Sequence, residues 1–256
     1  MSYSKEMCVF LLSNPQMIEE DSLTEHVEAT VFKAINAAIS NRLGERSPWR
    51  TRFGLVVEDE DGNDDTVFAP LDWPTKPGHA DLAVFRLAET DPNANSYWLG
   101  SALGLNGGTM AFEFWMDGRP AGPSRYKVKQ HLEVFLKEKE VLQKAGFQFT
   151  KRGTLILPFS LDPVVVAKEY PDLKKSLEPM TAALENVLKL IPVFDKLVKE
   201  LLPKQPALPD PPPSEPLPLL FQVPVPQAQV GNSSLLSFVR WHRVHIQKGL
   251  SGSALE

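Results

Sequence analysis

Four polar residues alternate through the acidic stretch that follows Val57. Asp59, Asp61, Asn63 and Asp65 stand at positions one, three, five and seven of a calcium-loop spacing. The spacing then fails, because Gly62 falls at position four rather than six and Pro70 occupies the place of the bidentate Glu. Asp61-Gly62 reads instead as a hairpin turn, since both residues tolerate positive φ. Soft metal ligands are sparse. Of His26, His79, His131, His242 and His245 only the last two lie close, at i,i+3, and the single Cys8 completes no zinc set with them. Neither GxxxxGK[ST] nor GxGxxG occurs, and Gly100-Ser101-Ala102-Leu103-Gly104 places its Ser second rather than third, unlike a nucleophile elbow. One segment does carry a chemical bias. Residues 117–152 hold nine bases against four acids, from Arg119, Arg125, Lys127, Lys129, Lys137, Lys139, Lys144, Lys151 and Arg152. Such a block serves either as a solvated helix face complementing the acidic half of the molecule or as a surface that meets phosphate.

The elements that must position these groups are legible in part. Ser22-Leu23-Thr24-Glu25 fits a capping box, and Val27, Val31, Ala34, Ile35 and Ala38 then recur at helical spacing until Gly44, which predicts a helix over 23–43. The apolar run Met7–Leu12 reads as a buried strand or a helix start. Short apolar runs divided by turn residues follow: Phe53–Val57, Thr66–Ala69, Asp81–Leu87, Tyr97–Leu105 and Thr109–Met116, the last two joined by Asn106-Gly107-Gly108. These predict an antiparallel meander, one face of which must be covered. Ser124 is placed to cap a second helix carrying Val128, Leu132, Phe135 and Leu142 on one face, stopped by Gly146. Thr154–Leu157 predicts another strand closed by Pro158, and Asp162-Pro163 opens a further helix.

The most regular pattern begins at Leu173. Leu173, Leu177, Met180, Leu184, Val187, Ile191, Phe194, Val198 and Leu201 are spaced alternately by four and three, a heptad seam that must find apolar cover. Pro179 and Pro192 interrupt it, so two or three shorter helices folded over the sheet are expected rather than a straight coiled coil. Ten of the 24 residues in 203–226 are Pro, which predicts an extended tether of at most about 74 Å. The chain therefore divides into an α+β domain (1–202), a Pro-rich linker (203–228) and a short C-terminal element (229–256). In that last element Leu236, Phe238, Arg240, Trp241 and Arg243 mix apolar, aromatic and basic character and are the candidate partner-binding residues.

The order helix, meandering strands, helix, strand over 22–158 resembles the core of the PD-(D/E)xK nucleases. That resemblance implies carboxylates on adjacent strands holding Mg²⁺ against a scissile phosphate, here Asp81 and Glu113. The motif departs from the family: Trp115 stands where Lys belongs in Glu113-Phe114-Trp115, and no Pro precedes Asp81. Without the family, Asp81 is a strand-start residue and Glu113 belongs to the solvated face of a hairpin.

Composition limits the function classes. The 256 residues are 43% hydrophobic and 23% charged with a formal charge of -5, as in ordinary globular chains and without general attraction to nucleic acid or anionic lipid. No apolar stretch approaches the ~20 residues that span a bilayer. A single Cys points to a reducing compartment, most simply the cytoplasm. The expectation is a non-enzymatic cytoplasmic accessory protein, monomeric or dimeric and without a cofactor. It would assemble with protein partners through its helical face or its tail, nucleic acid at the 117–152 block being less favoured. The alternative is a metal-dependent nuclease or phosphodiesterase using Mg²⁺ at Asp81 and Glu113.

Overall fold

The computed structural model describes residues 3–18, 22–44, 48–53, 66–75, 82–91, 94–95, 97–116 and 124–201. Strands β1 (Trp49–Arg52), β2 (Val67–Pro70), β3 (Ala83–Glu89), β4 (Met110–Met116), β5 (Gln148–Phe149) and β6 (Leu155–Phe159) form one antiparallel sheet in the order β1-β2-β3-β4-β6-β5. Around it run α1 (Lys5–Ser13), α2 (Ser22–Gly44), α3 (Trp98–Ala102), α4 (Arg125–Glu138), α5 (Glu140–Lys144), α6 (Pro163–Glu169) and α7 (Glu178–Leu201). The fold is α+β, a meander extended by β6 and β5 and covered by helices. The Pro-rich tether, the tail with its five candidate residues, Asp81 and the stretch Gly54–Asp65 with its Asp61-Gly62 turn lie outside the described residues.

Strand register explains where the core sits. Phe85 pairs with Phe114 and Leu87 with Phe112, while Phe112 also pairs with Leu157. Directly opposed residues share a face, so these large side chains point one way, and all are buried. Helix α7 lays Phe194 on that face, its ring 5.0 Å from Phe85, 4.7 Å from Phe114 and 5.4 Å from Phe147. The heptad seam is thus covered within the fold, where α7 packs on β4, β6 and α2: its other members are buried, apart from half-buried Ile191.

The prolines do not divide this segment as expected. Leu173 and Leu177 sit in the turns before the helix, and Glu178–Leu201 is a single α-helix containing Pro192. Pro179 is its second residue, where a missing N–H breaks no bond. Pro192 faces water. Its cost of about 3 kcal/mol is outweighed by ten buried residues on the same helix, the larger of them worth about 1.5–3 kcal/mol each.

Tyr97–Leu105 is a second correction. It forms helix α3 and a 3₁₀ turn over Leu105–Gly107 instead of a strand. Leu99 to Leu103 are all buried, so the segment carries no strand-like alternation. Tertiary contacts fix it: the Leu99 N–H donates to Glu28 Oε2 at 2.8 Å, and Trp98 packs edge-on against Phe32 of α2. Gly104, at φ +73°, links α3 to the 3₁₀ turn in a conformation that few other residues adopt.

Smaller differences have local causes. Ser22 is the first residue of α2, its hydroxyl paired with that of Tyr3. The helix expected after Ser124 breaks at Lys139 into α4 and α5. Pro158 lies inside β6, opposite Ala111. The Thr154 carbonyl faces β5, where it accepts from the Thr150 N–H, and alternation turns Ile156 and Pro158 the same way. Pairing with β5 ends at Ile156, so the missing N–H of Pro158 interrupts no ladder.

Candidate interaction site

Glu113 lies on β4 directly opposite Arg86 of β3. The Arg86 Nε donates to Glu113 Oε2 at 2.5 Å, and the Glu113 side chain is only 6% exposed against 29% for Arg86. Glu113 is therefore a buried counter-ion and not the solvated hairpin residue expected; a cation bound there would have to displace Arg86. Its proposed companion Asp81 lies outside the described residues. Among the described residues no three His, Cys, Asp or Glu side chains converge as a metal-ligand group. Ser101 Oγ donates to Glu89 Oε1 at 2.7 Å and accepts from Asn95, which ties α3 to the end of β3. His26 packs against Tyr3, and Nδ1 of exposed His131 lies 3.1 Å from the Lys127 carbonyl.

The basic block divides into two parts. Toward the C-terminal end of α4 and in α5 its charges are balanced locally: Lys137 donates to Glu133 at 2.8 Å, holding that carboxyl below its ordinary range, and Lys144 meets Glu140 at 2.8 Å. Lys139 lies over the Phe135 ring. This part is the solvated helix face that the sequence allowed.

The other part converges on a cleft. Ser124 caps α4 by accepting the Lys127 N–H, which fixes the start of the helix and puts Arg125 and Lys129, four apart, on one face. Opposite them the β5–β6 turn brings Arg152. Gly153, at φ +85°, closes that turn with its N–H on the Thr150 carbonyl. A Cβ on Gly153 would stand 2.6 Å from Lys129 Cγ, so the absent side chain is what lets the Lys129 stem lie across the turn. There the Lys129 Nζ donates to the Lys151 carbonyl at 3.1 Å.

Between these walls is a cleft of about 480 Å³, lined also by Trp115, Met116, Tyr126, Val128, Leu132 and Thr154. Met116, Val128 and Leu132 are buried and form an apolar floor, whereas Tyr126 is 68% exposed at the mouth. Among the described residues three cations line the cleft and no carboxylate does. Among the described residues neither Arg125 nor Arg152 has an ion-pair partner. The first turn of α4 holds no acid either, so the positive end of the helix dipole adds to the cationic charge. Each unfavourable charge at that end costs about 0.3–1 kcal/mol in the free protein, a cost that an anion in the cleft would offset.

Sequence reasoning found these cations but not their meeting. Arg125 and Lys129 are an ordinary i,i+4 pair, and Arg152-Gly153 an ordinary turn; only the packing of α4 beside β5 and β6 joins them. No protein-family model, no curated protein and no solved structure matches the chain.

Proposed function

We propose that the chain is a non-enzymatic interaction protein that docks an acidic surface of a protein partner on the basic, aromatic face at the start of α4. One observation carries the reading: Arg125, Lys129 and Arg152 converge beside Trp115 and Tyr126, with no carboxylate among the described residues that line the cleft. Exposed guanidinium groups and aromatic side chains are the types enriched where proteins bind each other, and opposed charge speeds and orients docking. The α7 seam, by contrast, is taken up inside the fold by the sheet and α2. On this reading the tail residues Leu236, Phe238, Arg240, Trp241 and Arg243 form a second contact, delivered by the tether, and the single Cys8 favours the cytoplasm. No helix among the described residues is long and apolar enough to cross a membrane.

The test is affinity purification from the native host with wild-type bait and with an Arg125→Glu/Arg152→Glu variant shown to unfold at the same temperature. A partner held by wild type, lost from the variant and crosslinked near α4 supports the reading. Equal capture by both baits overturns the site. Mg²⁺-dependent cleavage of nucleic acid that disappears in Glu113→Gln overturns the non-enzymatic assignment.

A further inference from the structure

The interior of the cleft has properties that a flat docking surface does not require. It combines three converging cations, a buried apolar floor and two aromatic side chains in about 480 Å³. A lone Asp or Glu side chain fills only a small part of that volume, which lies within the range typical of small-molecule sites. A single carboxylate also neutralises only one charge of three. A group with two negative charges and several acceptor oxygens matches the cations better, because each guanidinium presents paired donors and the Lys129 ammonium adds donors of its own. The first turn of α4, whose Lys127 N–H is taken by Ser124, adds the positive end of a 14-residue helix. Trp115 and Tyr126 line the same cleft, and stacking on aromatic faces tolerates any base.

We propose that this cleft is a binding site for a nucleoside phosphate, with Arg125, Lys129 and Arg152 on the phosphate and Trp115 or Tyr126 against the base. The inference concerns the cleft itself and does not require the docking partner to exist. Occupancy would neutralise the charge that an acidic partner seeks, so ligand and partner compete.

The experiment titrates the purified full chain with ADP, inorganic pyrophosphate and adenosine, read by calorimetry and by tryptophan fluorescence. ADP is expected to bind more tightly than either fragment, because each fragment keeps only one half of the contacts. Removal of a charge-assisted contact in Arg125→Ala or Arg152→Ala is expected to weaken ADP roughly tenfold or more with no change in unfolding temperature. Trp115→Phe should abolish most of the ADP-dependent fluorescence change. Raising salt from about 50 to 200 mM should weaken binding, since partly exposed charges are screened. The proposal is overturned by absence of ADP binding at millimolar concentration, by equal affinity in the Arg variants, or by a Glu-rich peptide binding as tightly as ADP. The last result assigns the cleft to an acidic protein segment. The two tests read different ligands, a captured protein in one and ADP in the other, so failure here leaves the docking reading standing, and the converse also holds.

Discussion

Replacing Phe194 by Ala tests whether α7 is the wall that closes this molecule. The ring is fully buried and meets four others, from Phe85 and Phe114 of the sheet, Phe147 before β5 and Phe135 of α4, at 4.7 to 6.2 Å between centroids. Truncating a buried Phe costs about 3–5 kcal/mol, part from lost transfer free energy and part from the cavity left behind. Collapse of the cavity is resisted here, because Phe85 and Phe114 are pinned in neighbouring strands by their register. The expected loss is therefore about 4 kcal/mol. For a folded region of about 200 residues that lowers Tm by roughly 8–16 °C, taking about 2–4 °C per kcal/mol. Urea unfolding followed by far-UV circular dichroism measures it, with the denaturant slope unchanged if both states keep their exposed area. Phe194→Leu, which retains most of the apolar volume, should lose less than half as much. A loss below about 1 kcal/mol in Phe194→Ala would place Phe194 among surface substitutions and refute the packing of α7 on the sheet. Because Phe135 on α4 leans on the same ring, the variant also reports on how firmly the cationic cleft is held.

Three further outcomes follow from single contacts. Gly153→Ala puts a Cβ into the Lys129 stem at positive φ, which should cost about 1–2 kcal/mol and displace Lys129; equal stability and equal ADP titration in the variant would show that the turn does not position the cleft. Arg86→Ala leaves the buried Glu113 carboxylate without its partner and should destabilise by about 2 kcal/mol, less than a fully buried pair because Arg86 is 29% exposed. Adding Glu113→Gln to that variant should recover part of the loss in urea melts, whereas no change in the single variant would remove the ion pair from the account. Burial raises the Tyr170 phenol above its ordinary value of 10.0, with the hydrogen bond to Cys8 adding to the rise and that to Thr30 opposing it. The folded state then holds a proton that the unfolded chain releases, so this contribution is complete below pH 10.0 and is lost as pH rises through the folded value. Wild type should lose more stability than Tyr170→Phe between neutral pH and pH 11, a comparison made by urea midpoints; parallel losses would place Tyr170 in water.

Local chemistry made some elements readable from the chain alone. The helix over 22–44 is set by its apolar period, the start of α4 by Ser124, and the start of α6 by Asp162, whose carboxylate accepts the N–H groups of Val164 and Val165. Each depends on residues within a few positions of one another, as capping and periodicity do. The heptad seam likewise announced a buried stripe, because nine apolar residues at that spacing cannot all stay in water; seven of them lie on α7. What the sequence left open is what nonlocal contact settles. Trp98–Ala102 became a helix because Glu28 and Phe32, more than 60 residues earlier, satisfy its backbone and cover its ring. Pro192 remained inside α7 because burial of the helix in the fold outweighs the proline's cost. Glu113 became a counter-ion because register, invisible in one strand, set it opposite Arg86. The cationic cleft belongs to the same class: charge type and helical spacing were written locally, but the meeting of Arg125 and Lys129 with Arg152 required two elements to pack, and packing is decided by the whole core.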